Sequence, residues 1–344
     1  MDAGFWTNIK KPIIGLSPMD GVTDAAFRYI NAKYGKPSIQ FTEFTSVEGL
    51  SAGAVKLLDD FLFADAERPV VAQIFGSTLE CFYRAAFIVS ELGFDGIDIN
   101  MGCPAKNVAH HGGGAALILQ PDLAKEIIRR TKQGAADWAE GRRINEIGLP
   151  DQIVREVLKR SKPLTAKRVA LPVSVKTRIG HSSIVVEDWV KHLLEAEPVN
   201  ISIHGRTLKQ MYTGRSDWEA IAHAAEIIHK TQTTVLGNGD VECLTDANSK
   251  IEQFGVDGVL IGRAAMGNPW LFQNRSASLQ EKLFVALEHA RYFESIFPHR
   301  PFLNMRKHLG WYVKGFDGAK ELRMKLLTAQ NSEDCRHLVA GVAS

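Results

Sequence analysis

Four cysteines among 344 residues are too few for a disulfide scaffold, and no C-x-x-C pair occurs, which argues against a zinc ribbon or a redox dithiol. No apolar run approaches the roughly 18 residues of a membrane span, so a transmembrane protein is not expected. Met1 to Lys11 holds charges and a tryptophan but no apolar core segment, so no signal peptide is read and a reducing cytoplasm is expected. There is no G-x-G-x-x-G after the first apolar run and no G-x-x-x-x-G-K-[ST] anywhere, which counts against Rossmann and P-loop domains. Net charge is nearly absent too: +2, from 41 basic and 39 acidic residues. What is present, 45% hydrophobic and 23% charged residues, is the composition of an ordinary folded chain.

Short apolar runs alternate with helical patterns eight times. Ile13-Ile14-Gly15-Leu16, Ser38 to Phe44, Val70 to Phe75, Gly96 to Asn100, Pro172 to Lys176, Val199 to His204, Thr234 to Gly237 and Gly258 to Gly262 read as strands. Most are apolar throughout, as suits a parallel sheet covered by helices on its outer face. Eight strand–helix units predict a (β/α)8 TIM barrel rather than an open sheet. Residues 1–275 are expected to form the barrel, with an insertion at about 141–171, and residues 276–344 an all-helical C-terminal domain. The insertion should carry a helix over Pro150 to Arg160, with Ile153, Val154, Val157 and Leu158 on one face. Both the insertion and the stretch Arg300 to Lys325 carry a local net charge of +5. Solvated helix faces account for such charge as readily as nucleic acid does.

In such a barrel the active site forms where the strands end. The strand ends here are rich in polar and reactive groups: Ser17-Pro18-Met19-Asp20, Glu43, Gln73, Asn100-Met101-Gly102-Cys103-Pro104, Lys176-Thr177-Arg178, His204-Gly205-Arg206-Thr207, Gly237-Asn238-Gly239-Asp240 and Gly262-Arg263. Each alone has an ordinary structural explanation, but their convergence on one mouth does not. Backbone N–H groups of the last two loops, with Arg263, suit a phosphate; tight turns alone would also use those glycines. Cys103 follows a strand in a loop, which places it at the mouth, as a nucleophile, an acid or a metal ligand. His110-His111 lacks a third ligand, and no metal is expected.

Taken in order, S-P-M-D-G-V-T-D from Ser17, Q-I-F-G from Gln73, D-I-N-M-G-C-P from Asp98, V-K-T-R-I-G from Val175, H-G-R-T from His204, G-N-G-D from Gly237 and Gly262-Arg263 resemble the tRNA-dihydrouridine synthases. The tail joins the resemblance through Met305-Arg306-Lys307-His308 and Trp311 to Gly315. The family resemblance implies an FMN at the barrel mouth: Pro18 and Met19 line its ring, Gln73 and Lys176 bond its polar edge, and His204 lies against it. Asn238, Gly239, Gly262 and Arg263 hold its phosphate end. It further implies that NADPH reduces the flavin, that hydride goes to C6 of a uracil and that Cys103 protonates C5. A thiol with a pKa of about 8.5 is largely protonated at neutral pH and can act as that acid. Asn100, Arg206 and Tyr212 are implied to face the substrate base, and the helical tail to grip tRNA through Arg306, Lys307, Lys314 and Lys320. A uridine must leave its stack to reach such a mouth. Two other readings share these features: a small-molecule FMN barrel like dihydroorotate dehydrogenase, and a non-catalytic tRNA-binding flavoprotein. Which D-loop uridine is reduced, and the oligomeric state, are not read from the residues.

Overall fold

The computed structural model describes residues 3–104, 112–162 and 167–341. His110 and His111 lie outside them. Eight parallel strands close into a barrel in sequence order: β1 (Ile13–Leu16), β2 (Gln40–Ser46), β3 (Val70–Phe75), β4 (Gly96–Met101), β5 (Val173–Arg178), β6 (Asn200–His204), β7 (Thr234–Asn238) and β8 (Gly258–Ile261). Closure is made by β1 pairing with β8 over four residues, Ile13 to Leu16 against Gly258 to Ile261. The expected barrel is therefore present. Its apolar strands are buried on both faces, which is why they lack alternation.

Helices α1 (Ala25–Tyr34), α2 (Val47–Ser51), α3 (Leu79–Glu91), α4 (Pro121–Ala139), α5 (Asp151–Arg160), α6 (Val186–Leu194), α7 (Trp218–Ile228) and α8 (Leu244–Phe254) fill the connections. α1 starts where the Asp24 carboxylate accepts the Phe27 N–H at 2.9 Å. β2 runs two residues beyond the expected end, through a register shift between Phe41 and Phe44. There the Thr42 hydroxyl oxygen accepts the Gln73 N–H, replacing a ladder partner.

The insertion packs onto the barrel. Ile153, Val154 and Val157 of α5 join the main apolar core, and Gln152 donates to the Gly53 carbonyl at 2.7 Å. Leu158 does not join them and is 51% exposed. At about 100° per residue it stands about 140° from Ile153, past the edge of the buried arc. The insertion's charges are largely paired: Arg160 with Asp59 and Glu156, Lys162 with Asp65, Arg168 with Glu91 and Arg142 with Asp137.

Four helices follow the barrel: α9 (Leu279–Ile296), α10 (Leu303–Tyr312), α11 (Ala319–Leu326) and α12 (Ser332–Ala340). Ser278 and Glu281 form a reciprocal cap at the start of α9. Leu283, Phe293, Met305, Leu309 and Tyr312 build a second apolar core that also takes in Ala26 and Ile30 of α1. Glu288 accepts from both Lys33 and Tyr34 at 2.6 Å, fastening α9 to α1. Arg300 reaches Asp60 at 2.8 Å, so the tail is also tied to the segment after β2. None of these helices is long and apolar enough to cross a membrane, among the described residues.

Candidate active site

A cavity of about 890 Å³ opens where the strands end. Its wall includes Pro18 and Met19 after β1, Gln73 of β3, Asn100 of β4 and Cys103 beyond it. Lys176 and Arg178 of β5, His204 of β6, Arg206 and Tyr212 of the following loop, and Asn238, Gly239, Gly262 and Arg263 complete it. Thus every barrel residue expected at the site lines one cavity. Arg306, Lys307 and Lys314 of the tail do not line it.

The cavity wall carries cations and glycines. Lys176 Nζ is 3.1 Å from Asn238 Oδ1, and Asn238 in turn donates to the Leu260 carbonyl at 2.8 Å. Burial, then the neighbouring Arg178, push the Lys176 ammonium down to about 8, while Asp98 and Cys103 oppose them. It remains mostly charged at neutral pH, with an uncharged side chain as its hydrogen-bond partner. Burial, followed by Lys176, Arg178 and Arg206, holds His204 down at about 2, so its ring is neutral. Arg206 Nη1 stands 3.3 Å from His204 Nε2. Since a guanidinium only donates, Nε2 accepts and the ring proton sits on Nδ1. At Gly239, with φ +121°, a Cβ would lie 2.1 Å from Ser216 Oγ. At Gly262 it would meet Met19 Sδ at 3.2 Å. Glycine therefore leaves Gly239 room against Ser216 and His204, and leaves the Gly262 backbone bare beside Met19.

Arg206 is 3% exposed and uses all its donors within the protein. They go to the Thr213 and Gly214 carbonyls, Ser216 Oγ, His204 Nε2 and Asp240 Oδ2, the last at 2.6 Å. It shapes the loop that carries Tyr212, whose ring is 67% exposed over the mouth. Asp240 also accepts from Arg263 at 2.9 Å and orients that cation, which is otherwise exposed.

Cys103 is 9% exposed. Asn100 Oδ1 accepts the N–H of Gly102 at 3.0 Å and of Cys103 at 2.8 Å, and Arg178 Nε donates to the Gly102 carbonyl at 2.6 Å. Arg178 also bonds the Thr207 and Met211 carbonyls, and so joins the Cys103 loop to the Tyr212 loop. Arg178 and Asp240 stand among the polar strand ends of the sequence with no role assigned to them there, and Asp98 only inside a motif. For Asp98 a signal existed: a carboxylate inside an otherwise apolar strand has to have partners.

The tail's basic residues divide. The Arg306 guanidinium donates to the Ala329 carbonyl at 2.7 Å and toward that of Thr328, and so closes α10 onto the turn after α11. Lys307, Lys314 and Lys320 are exposed and have no ion pair among the described residues. Lys307 Nζ hangs over Gly21, 3.2 Å from where a Cβ would stand, beside the β1 loop that borders the cavity.

The geometry defines a TIM-barrel protein whose mouth gathers cationic side chains and a thiol on the wall of one cavity. The dihydrouridine synthase (Dus) family matches residues 15–136 and 152–340. A probable tRNA-dihydrouridine synthase of Staphylococcus aureus (strain MRSA252) is 34% identical, over 98% of this chain and 95% of its own. A probable tRNA-dihydrouridine synthase 2 of Bacillus subtilis (strain 168) is 32% identical, over 98% and 96%. Among solved structures, DHODH of Eimeria tenella in complex with ferulenol overlaps with a TM-score of 0.49 at 13% identity, over 84% of this chain and 86% of that one. The chain belongs to the dihydrouridine synthase family. The family's match stops at residue 136, near the end of α4, and resumes at 152, within the insertion.

Proposed function

We propose that this chain is a cytoplasmic, FMN-dependent tRNA-dihydrouridine synthase, reducing the C5–C6 bond of a D-loop uridine at the expense of NADPH. The observation that carries the reading is Cys103, held by its backbone on the wall of the same cavity as Lys176 and His204. The residues fit a flavin mononucleotide. The cavity offers apolar Pro18 and Met19 for a flat ring, and a half-buried cation at Lys176 for negative charge on its polar edge. Gly239 and Gly262, with Asn238 and Arg263, suit the phosphate. Gln73 keeps one amide hydrogen beyond the one given to Asp98, and neutral His204 keeps its proton on Nδ1.

Held by these residues, an FMN would supply the hydride for C6 of the uracil, with NADPH as its reductant. Cys103 Sγ gives its proton to C5, which leaves a thiolate flanked by the cations of Lys176 and Arg178. Asn100 retains one amide hydrogen to orient the base, and Tyr212 presents its ring at the entrance. Arg206 acts through the Tyr212 loop. Residues 276–344 serve as the tRNA-binding domain, with Lys307, Lys314 and Lys320 meeting phosphates, while Arg306 braces the helices that carry them.

The test is Cys103→Ala, assayed on tRNA lacking dihydrouridine. The variant should keep bound FMN and NADPH oxidation and form no dihydrouridine. Product formation at the unsubstituted rate would overturn the role of the thiol, and a flavin-loaded native chain that forms none would overturn the activity.

A further inference from the structure

The Asn100 side chain that holds the Cys103 loop is itself held, and the chain of contacts leads down into the barrel. Asp98, on β4 and completely buried, accepts from Ser174 Oγ at 2.6 Å and from Gln73 Nε2 at 2.7 Å. Gln73 Oε1 accepts from Asn100 Nδ2 at 2.9 Å. Asn100 Oδ1 then receives the two backbone N–H groups of Gly102 and Cys103. Gln73 and Ser174 are fully buried and Asn100 nearly so, leaving water little access to stand in for any partner.

This chain has a direction. An ionised carboxylate only accepts, so Gln73 must turn its NH2 toward Asp98. That aims Gln73 Oε1 at Asn100, which must answer with its own NH2. Asn100 is left with its carbonyl oxygen facing the loop ahead, the only end that can accept two N–H groups. If the Asn100 amide were reversed, its NH2 would face two N–H donors, an arrangement with no hydrogen bond in it. The carboxylate of Asp98 thus sets the polarity of three successive links and, at their end, the seat of the Cys103 backbone. Burial alone raises Asp98 to about 6, against the pull of Ser174, Gln73 and Lys176, so the acceptor form holds at neutral pH.

We propose that Asp98 is a positioning residue for Cys103, acting through the amide relay Gln73–Asn100. The proposal rests on the reading of Cys103 as the proton donor, and adds to it the residue that fixes where the thiol stands.

The relay separates two substitutions at one position. Asp98→Leu has similar bulk but no acceptor, so Gln73 loses the partner that dictates its orientation. Asp98→Asn keeps an acceptor for Gln73, because its NH2 can face Ser174 Oγ while that hydroxyl donates to the Ile97 carbonyl, already 3.4 Å away. Ser174→Ala removes the other bond to Asp98 and leaves the relay intact. The readout is the alkylation rate of the Cys103-containing peptide by iodoacetamide, measured by mass spectrometry on folded, flavin-free protein. Loss of a seat worth one or two hydrogen bonds should raise the rate of the sheltered thiol about tenfold in Asp98→Leu. Asp98→Asn and Ser174→Ala should stay within about threefold of the native chain. In the flavin-loaded enzyme, Asp98→Leu should lower kcat for dihydrouridine formation and leave KM for tRNA unchanged. Equal alkylation in Asp98→Leu and the native chain overturns the proposal. So does an Asp98→Asn or Ser174→Ala variant that behaves like Asp98→Leu, since packing rather than polarity would then be at work. Should Asp98→Leu fail to fold, Gln73→Met cuts the next link: faster alkylation supports the relay and an unchanged rate refutes it. A native chain that makes no dihydrouridine in the parallel assay overturns the proposed activity while leaving the alkylation comparison readable.

Discussion

Glu43→Gln should make the protein more stable in alkali relative to the native chain and leave it nearly level in acid. Glu43 lies on β2 within the register shift, 8% exposed, and no side chain hydrogen-bonds its carboxyl among the described residues. Burial foremost, then the nearby carboxylates of Asp24 and Asp60, raise it to about 8; Arg300 and Arg28 pull less strongly the other way. The folded chain therefore holds a proton that the unfolded chain releases near the ordinary glutamate value of 4.5. With more protons bound in the native state, stability falls as pH climbs through that window. Each pKa unit is about 1.4 kcal/mol, so the cost accumulates to the order of 5 kcal/mol once pH passes 8. Glutamine is uncharged at every pH and escapes it. Urea unfolding of both proteins at pH 5 and pH 8.5 isolates the effect, because Asp24 and Asp60 are common to both. The stability difference should shift in favour of the variant by several kcal/mol between the two pH values. An identical difference at both would refute the reasoning and mean that Glu43 is already ionised, with a partner, in the fold.

Lys176→Met removes a half-buried cation from the cavity wall. NADPH-driven flavin reduction should fall by about 100-fold, measured by stopped-flow bleaching of the flavin band, and a rate within threefold of native would remove Lys176 from the chemistry. Replacing Lys307, Lys314 and Lys320 together with alanine should reduce the slope of log affinity for tRNA against log salt by about 2, as three lost phosphate contacts require; an unchanged slope would exclude this face. Arg306→Ala should instead lower the melting temperature, because it frees the Ala329 and Thr328 carbonyls that the guanidinium closes; the expected loss is on the order of 2 kcal/mol, and an unaltered transition would contradict the bracing role.

The barrel was legible because its strands are apolar on both faces and each is followed by a helical pattern, and eight such units suit a closed barrel better than an open sheet. The candidate site was legible because Asn100, Lys176, His204 and Asn238 stand at strand ends, and Cys103 just past one, where a closed barrel must bring them to one mouth. The second apolar core was only half visible. Ala26 and Ile30 of α1 look like any helix face until α9 and α10 are found packed on them.

Local sequence carried less information about charge and polarity. The insertion and the tail have the same net +5, yet Arg160, Lys162 and Arg168 of the insertion lie against barrel carboxylates, while Lys307, Lys314 and Lys320 face solvent. Little near them in the chain distinguishes the two cases, because the barrel carboxylates that meet them, Asp59, Asp65 and Glu91, are 77 or more positions away. Arg206 likewise reads as a substrate contact until its five donors are traced to its own loop, Ser216, His204 and Asp240. The residue types at the strand ends thus determined which reagents meet in the cavity. Which of them are already engaged, and which way each amide points, was decided by three-dimensional neighbours, since a hydrogen bond or an ion pair is a property of two groups that folding, not sequence order, brings within 3 Å.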